Sequence, residues 1–253
     1  MASFESVRQK VSWAYKHLQS YDSELIRYFN AEPGKIVADT ESDPQGRVRI
    51  VFKEVVAVPP EIALTIGDGV QNLRSALDYL VCELVRTTNN EPTIRHMFPI
   101  CDSEDAFEAQ CRGHRLDWVP PEAIAQIKVF QPYHYGDKRA SAPIRVLDDL
   151  CNINKHQRIC LAVLSVSSSE TKFTSTAIGA SAHSTLTPRY HDAELAVSHI
   201  PILGEEMEVE GGAFFHIVID ERCAKGVEVS TCVNALWRVV SQSIVPAFER
   251  FFV

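Results

Sequence analysis

The sequence predicts an α+β protein in which long N- and C-terminal helices and a central helical group pack with an antiparallel sheet. Apolar residues recur at helical spacing through most of 1–157, short β-compatible runs fill 158–230, and helical spacing returns over 231–252. Because helices and strands are segregated along the chain, α+β fits better than α/β. We therefore expect a single domain over 1–253, with a β-hairpin at 35–58.

Periodicity and turn residues mark the first helix and the hairpin. Apolar residues recur every three or four positions over 4–29 and predict a long amphipathic helix, which a Pro-Gly pair at 33–34 ends. The start of the segment 47–58 alternates polar and apolar residues, as a strand does. The turn-forming stretch TESDPQG separates it from the strand predicted at 35–39, so a hairpin follows.

The central helix is predicted over 62–86. Its apolar positions fall in one narrow sector and must be buried: Ile62, Ile66, Val70, Leu73, Leu77, Leu80 and Leu84. Gly67 and Gly69 each cost roughly 1 kcal/mol in a helix relative to alanine. We expect either that another element packs closely on this turn or that the helix restarts there with Asp68 as its N-cap.

A row of polar residues lies opposite the apolar stripe of the central helix. Its members are Asp68, Asn72, Ser75, Tyr79 and Arg86. Arg74 and Asp78 form an i, i+4 pair between the two faces. The row has two interpretations, a solvated helix face or one wall of a functional site.

The remaining elements follow in order along the chain. Shorter helices are predicted at 103–111, from 120–121 onwards and from Pro143 to about Ile153, with a loop at 131–139. Five β-compatible runs predict the sheet: 158–166, 171–178, 182–190, 194–200 and 213–220. The final amphipathic helix should be kinked at Pro246.

Composition excludes several classes of protein. The net charge of −8 argues against a general nucleic-acid binder, since such proteins neutralise phosphates. No run of 18 apolar residues occurs, so we expect no membrane partner. The seven cysteines are scattered without a CxxC pair, which favours reduced thiols and a cytoplasmic location. We expect neither a bound metal nor a cofactor.

A second polar cluster, DDLCNINKHQR, occupies 148–158. If the helix ends near Ile153, Lys155, His156 and Arg158 lie together at its exit. A histidine beside a lysine and near Asp149 is suited to general acid–base chemistry. The alternative is a helix end at which cations interact with the helix dipole. A helix continuing past Ile153 would instead turn Asn154 and His156 to different sides.

Four stretches carry a resemblance to a known family: GDGVQNLRSALDYL at 67–80, FPI at 98–100, QPY at 131–133 and NINKHQR at 152–158. Together they resemble a group of bacterial hypothetical proteins with a GD-x3-NLRSALD-x-L pattern and a later N-x-x-KH. The resemblance covers roughly 60–160, and no activity is known for that group, so it implies no mechanism. It directs attention to these residues: Asp68, Asn72, Arg74, Asp78, Asn154, Lys155 and His156.

A fainter resemblance is to HEPN-type helical ribonucleases, which use an arginine and a histidine about five residues apart on one helix. Here Arg74 has Tyr79 where that histidine would stand. Tyrosine, with a pKa near 10, is a poor general base at neutral pH. The acidic net charge and the later strands also depart from that family.

The leading functional hypothesis is a cytosolic protein that binds or processes a small polar or anionic molecule between the central helix and the 152–158 junction. The predicted catalytic residues are His156, Asp78 and Asp149. The predicted ligand-binding residues are Asp68, Asn72, Arg74, Tyr79, Asn154, Lys155 and Arg158. Two alternatives are a HEPN-like ribonuclease with a rewired base and a non-catalytic module that forms a homodimer through its long terminal helices.

Overall fold

The structure of the protein is a computed structural model. It describes residues 2–31, 35–39, 47–53, 56–166, 171–175, 181–184, 199–201, 207–210 and 214–252. The chain divides into two compact units. The helical unit comprises Met1–Glu24, Pro60–Cys160 and Ile219–Val253, and the sheet unit comprises Leu25–Pro59 and Leu161–Val218.

The described helices belong mainly to the helical unit. They are α1 (Glu5–Asn30), α2 (Pro60–Thr87), α3 (Glu104–Arg112), α4 (Pro121–Val129), α5 (Pro143–His156), α6 (Val229–Arg238) and α7 (Val245–Ala247). A 3₁₀ segment, Pro132–Ser141, precedes α5, a π-helical segment, Val239–Ile244, joins α6 to α7, and a last 3₁₀ turn spans Glu249–Phe252.

Helix α2 runs through the core of the helical unit, and its predicted apolar stripe is confirmed. Ile66, Leu73 and Leu80 have no solvent exposure. The helix does not restart at its glycines, because it is continuous from Pro60 to Thr87. Instead, a Cβ atom added at Gly69 would lie 2.8 Å from Leu18 Cδ2, so this glycine admits the close approach of α1.

The short helices begin where their capping residues predict, and two segments differ from expectation. The hydroxyl of Ser103 accepts a hydrogen bond from Ala106 N at 3.2 Å, which confirms it as the N-cap of α3. The predicted loop at 131–139 forms 3₁₀ turns, which Gly136 interrupts with a φ of 57°. The π-helical segment lies directly before Pro246, whose missing N–H and bulky ring break the regular helical pattern.

The sheet unit contains short strands in three described sheets. The strands are β1 (Lys35–Asp39), β2 (Arg47–Lys53), β3 (Leu161–Val166), β4 (Thr171–Ser175), β5 (Ser181–Ser184), β6 (His199–Pro201), β7 (Met207–Glu210) and β8 (Phe214–Ile219). The sheet orders are β1-β2-β6, β3-β8 and β5-β4-β7. In the hairpin Val37 pairs with Val51, and in the third sheet Phe173 pairs with Val209, both antiparallel.

The α+β class with long terminal helices is confirmed. The hairpin is confirmed by β1 and β2. Strand β7 was not predicted, although its sequence, MEVE, alternates with the period of a strand. The predicted strand residues at 176–178, 185–190 and 194–198 lie outside the described residues.

Candidate functional site

Helices α2 and α5 pack antiparallel through pairs of polar side chains. Arg74 Nε donates to Asp148 Oδ1 at 3.2 Å, and the Cys151 thiol donates to Gln71 Oε1 at 3.0 Å. From one contact to the next, the residue number rises on α2 and falls on α5, so the two helices run in opposite directions. These pairs place one side of α5 firmly against α2.

A third contact between these helices joins Gly67 and Asn154. A Cβ atom added at Gly67 would lie 2.1 Å from Asn154 Oδ1, which is an overlap. Only glycine admits the amide so close to the helix backbone. The predicted approach of the central helix and the 152–158 junction therefore occurs, but at Gly67 and not at Asp68 or Asn72.

Arg74 is the centre of a buried polar network. Its side chain is only 7% exposed and contacts Asp78 Oδ1 at 2.5 Å as well as Asp148. It also donates to Phe98 O at 2.9 Å, while Phe98 N donates to Asp78 Oδ1 at 2.9 Å. Each group of the network faces a protein partner, so Arg74 and Asp78 hold the 98–100 segment against α2 and α5.

The predicted polar row of α2 faces α1 and solvent. Lys10 Nζ donates to Asn72 Oδ1 at 3.2 Å and lies 5.4 Å from the centre of the Tyr79 ring. Asn72 also donates to Asp68 O on its own helix at 2.8 Å. Asp68 and Tyr79 are exposed. The row is thus a partly solvated helix face, and the residues facing α5 lie one position earlier in the sequence.

The predicted end of α5 near Ile153 is wrong, because the helix continues to His156. The contact of Asn154 with Gly67 is made in helical geometry, so tertiary packing overrides the preference of asparagine for helix exits. Asn154 therefore faces α2, whereas Lys155, His156 and Arg158 are exposed. Asn154 and His156 are not brought together.

A surface cleft of about 650 Å³ lies beside α5. Three segments build it: the 3₁₀ segment Pro132–Ser141, the α5 side chains from Arg145 to Ile153, and the turn that carries Arg222 and Cys223. Asp102 also lines it. Its volume falls within the range of small-molecule sites, about 300–1,000 Å³.

The backbone of the turn at 219–227 is closed on itself. Ile219 N donates to Val227 O and Gly226 N donates to Ile219 O, each at 2.9 Å. Gly226 has a φ of 76°, which glycine adopts without strain. The turn therefore holds Arg222 and Cys223 at a defined place on the wall of the cleft.

Arg145 ties two acidic side chains of the cleft together. Its guanidinium forms a bidentate pair with Asp149 on the next turn of α5 and reaches Asp102 at 3.6 Å. By contrast, three exposed cations on the wall have no carboxylate within ion-pair distance among the described residues: Lys138, Arg139 and Arg222. A third acidic residue of the lining, Asp137, is exposed and has no cation within ion-pair distance among the described residues. The cleft thus combines two carboxylates held by Arg145, one unpaired carboxylate and three unpaired cations.

The thiol of Cys223 is not an activated nucleophile. Burial, reinforced by the negative charge of Asp149, raises the pKa of Cys223 to about 11. The thiol is therefore protonated at neutral pH, and the thiolate is the reactive form of cysteine. No histidine is found among the described residues that line the cleft.

The three predicted catalytic residues occupy three separate places. Asp149 lines the cleft, Asp78 belongs to the buried network, and His156 is exposed at the end of α5. The predicted ligand-binding residues are divided in the same way, between the network, the α1-facing row and the helix end. They do not form one site.

The sequence analysis named Gly67, Arg74, Asp78 and Asp149, but it missed Gln71, Arg145 and Arg222. Gly67, Gln71, Arg74 and Asp78 have a 4-3-4 spacing that marks one helix face, and this signal could have identified the α5-facing side. Arg145 and Asp149 have the i, i+4 spacing of an ion pair. Arg222 carries no local signal, because only the tertiary fold brings its turn beside α5.

Comparison of the chain with family models, with curated proteins and with solved structures returns no match. Both family resemblances therefore stay predictions. Among the described residues, no helix combines the length and apolar character that a membrane span needs. In the same ranges, no cluster of histidine, cysteine or carboxylate side chains is arranged to hold a metal ion.

Proposed function

We propose that the protein binds a small anionic molecule in the cleft beside α5. The observation that carries this proposal is the set of three exposed cations that have no carboxylate partner among the described residues: Lys138, Arg139 and Arg222. They line one concave surface in a chain whose net charge is −8. Guanidinium groups suit phosphate or carboxylate ligands, because their planar donors bind two oxygens at once.

The rest of the lining supports recognition of a polar ligand. Arg145 pairs with Asp149 and lies 3.6 Å from Asp102, so its single positive charge partly offsets these carboxylates and they repel an incoming anion less than free ones would. Asn152 is exposed on the lining; its Nδ2 donates to Asp148 Oδ2 at 3.4 Å, and its second amide hydrogen and its oxygen can serve a ligand. These groups fit a ligand that has hydroxyl or carbonyl groups beside its anionic group.

The proposed role is binding and not catalysis. The protonated Cys223 thiol is not a strong nucleophile, and the carboxylate of Asp149 beside it is held by Arg145, so the described lining holds no nucleophile paired with a base. Arg74, the arginine of the ribonuclease prediction, is fully engaged inside the protein. We therefore assign the cleft no reaction.

Calorimetric titration with inorganic pyrophosphate tests the proposal. We expect saturable binding to the wild-type protein that weakens with added salt, since screening acts on exposed charges. The variant Arg139→Ala/Arg222→Ala should bind at least about tenfold more weakly, the equivalent of 1.4 kcal/mol.

The matched control is Arg95→Ala/Arg112→Ala, which removes two exposed arginines that do not line the cleft. This control has the same net charge as the cleft variant. An equal loss of affinity in both double variants would mean that pyrophosphate binding depends only on the net charge of the protein. That result, or an absence of binding to the wild type, would overturn the proposal.

A further inference from the structure

The cleft beside α5 contains unpaired charges of both signs. Four exposed residues of its lining have no oppositely charged side chain within ion-pair distance among the described residues: Asp137, Lys138, Arg139 and Arg222. One of these charges is negative and three are positive. Charges of opposite sign therefore face the same concave surface without neutralising one another.

A simple anion complements only part of this lining. It can pair with the three cations, but the negative charge of Asp137 repels it. A ligand with an ammonium group beside its anionic group meets attraction at both places, because its charges follow those of the lining. The amide oxygen of Asn152, which also lines the cleft, is a second acceptor for ammonium hydrogens.

The charge of the whole lining favours a ligand whose net charge is negative but small. Four cations line the cleft against three carboxylates, a surplus of one positive charge: Lys138, Arg139, Arg145 and Arg222 against Asp102, Asp137 and Asp149. A phosphate monoester carries about −1.5 to −2 charges at pH 7, so one added ammonium group leaves a net charge of about −0.5 to −1. Such a ligand balances the surplus.

A buried glutamine holds the two acidic segments of the cleft together. Gln131 has no solvent exposure; its Nε2 donates to Pro99 O and its Oε1 accepts from Cys101 N, each at 2.9 Å. Asp102 directly follows Cys101, and the 3₁₀ segment that carries Asp137 begins directly after Gln131. Both segments are thus fixed to each other at their bases, which keeps the two carboxylates on one wall.

We infer that the cleft binds a small zwitterion of net negative charge, a phosphate monoester that carries an ammonium group. This inference rests on the proposed anion site and adds a positive group to the ligand. Arg139 and Arg222 bind the phosphate oxygens, and Asp137 with the Asn152 oxygen accepts hydrogen bonds from the ammonium group. Recognition of the positive group distinguishes this ligand from phosphate or pyrophosphate.

Calorimetric titration with O-phosphoethanolamine and with n-propyl phosphate tests the inference. The two compounds have the same phosphate group and chain length, and a methyl group replaces the ammonium group in propyl phosphate. At pH 7 the wild-type protein should bind O-phosphoethanolamine about fivefold more tightly, the effect of one favourable ion pair at an exposed site. The lipid headgroup glycerophosphoethanolamine, a diester with no net charge, should bind more weakly than the monoester.

The variant Asp137→Asn removes the negative charge and keeps the shape of the side chain. It should bind O-phosphoethanolamine more weakly than the wild type does and propyl phosphate at least as tightly, so the preference is lost. The matched control is Asp105→Asn, which removes an exposed carboxylate of α3 that does not line the cleft. This control should keep the preference.

Titration of the same wild-type sample with pyrophosphate separates the two proposals. An absence of pyrophosphate binding would overturn the anion site and this inference together. If pyrophosphate binds, the inference alone is overturned by any of three results: wild-type protein that does not prefer O-phosphoethanolamine, an unchanged preference in Asp137→Asn, or binding of the diester as tight as that of the monoester.

Discussion

At Gly67 the missing side chain determines how closely two helices meet. The amide of Asn154 occupies the space that any larger residue would fill. Glycine costs helix stability at this position, and the close packing of α5 on α2 offsets that cost. The glycine within the predicted helix was therefore a marker of a contact and not of a helix boundary.

Replacing Gly67 by alanine should reveal this contact. In the wild type, Gly67→Ala should lower the free energy of unfolding by about 1–2 kcal/mol, because Asn154 is displaced. In an Asn154→Ala background the same change should raise it by about 0.5–1 kcal/mol through helix propensity. Urea unfolding of the four proteins measures both effects, and equal effects in the two backgrounds would show that the helices do not meet there.

Arg74 is predicted to be structural. Arg74→Met should cost about 3–5 kcal/mol, since it leaves Asp78 without a cation and Asp148 with only the longer contact to Arg145, at 3.9 Å, in a mostly buried place. The matched change Arg8→Met removes an exposed ion pair with Glu249 and should cost less than about 1 kcal/mol. Chemical unfolding measures the free energy of unfolding of both variants. A similarly small loss of stability in Arg74→Met and Arg8→Met would contradict the buried network.

Residue-level predictions succeeded where local periodicity was sufficient. The burial of Leu73 and Leu80 follows from spacing alone. Spacing alone does not decide whether the side of α2 with Asn72 or the side with Gln71 packs against α5, because these two residues lie about 100° apart on the helix. Which of them meets α5 depends on a partner far away in the sequence, and the periodicity of α2 contains no information about it.

At the scale of elements, helix type and length depended on tertiary contacts. Helix α5 extends to His156 because Asn154 packs on α2 in helical geometry. The last helix was predicted to be kinked at Pro246, and the irregularity takes the form of a π-helical segment ending at Ile244. Proline predicts that a helix changes, but not the form that the change takes.

Helices α3 and α4 are joined by Lys128, which gives a testable dependence on pH. A hydrogen bond from Lys128, and then its charge, holds the pKa of Glu104 below the ordinary value of 4.5. The Glu104 carboxyl group takes up its proton at a higher pH in the unfolded chain than in the folded protein. The ion pair with Lys128 therefore stabilises the folded state above pH 4.5. The contribution is lost as the pH falls through the lowered pKa of Glu104.

Carbon-13 NMR titration of the Glu104 carboxyl group measures this effect. In Lys128→Met the pKa of Glu104 should move up towards 4.5, since the two largest causes of the lowering are removed. The control Lys16→Met removes a cation that lies over the Trp13 ring on α1, and the titration of Glu104 should not change. An unchanged pKa in Lys128→Met would exclude the ion pair in solution.

At the scale of the whole molecule, the seven cysteines are free thiols. Cys160 is exposed, whereas Cys151 and Cys232 are buried, and burial raises the pKa of Cys232 to about 12. A thiol reagent should therefore modify Cys160 first in the folded protein and all seven cysteines after denaturation. Mass spectrometry before and after reduction checks this, and a mass increase on reduction would reveal a disulfide.

The fold class could be predicted from the order of periodic segments, but the cleft could not. Its lining unites Asp102, Arg139, Arg145 and Arg222, which come from distant parts of the chain. Charged residues at such separations look like ordinary surface positions in the sequence. The predicted site instead followed local clusters, and the fold divides those clusters between a buried network, a helix face and a helix end.

The most direct test of the account is to observe the arginine side chains of the cleft during ligand binding. In a pyrophosphate titration followed by arginine Nε–Hε NMR signals, Arg139 and Arg222 should shift together along one saturable curve. Arg95, exposed and outside the cleft, should stay constant. If Arg139 and Arg222 do not shift, or if Arg95 shifts equally, the cleft beside α5 is not an anion-binding site.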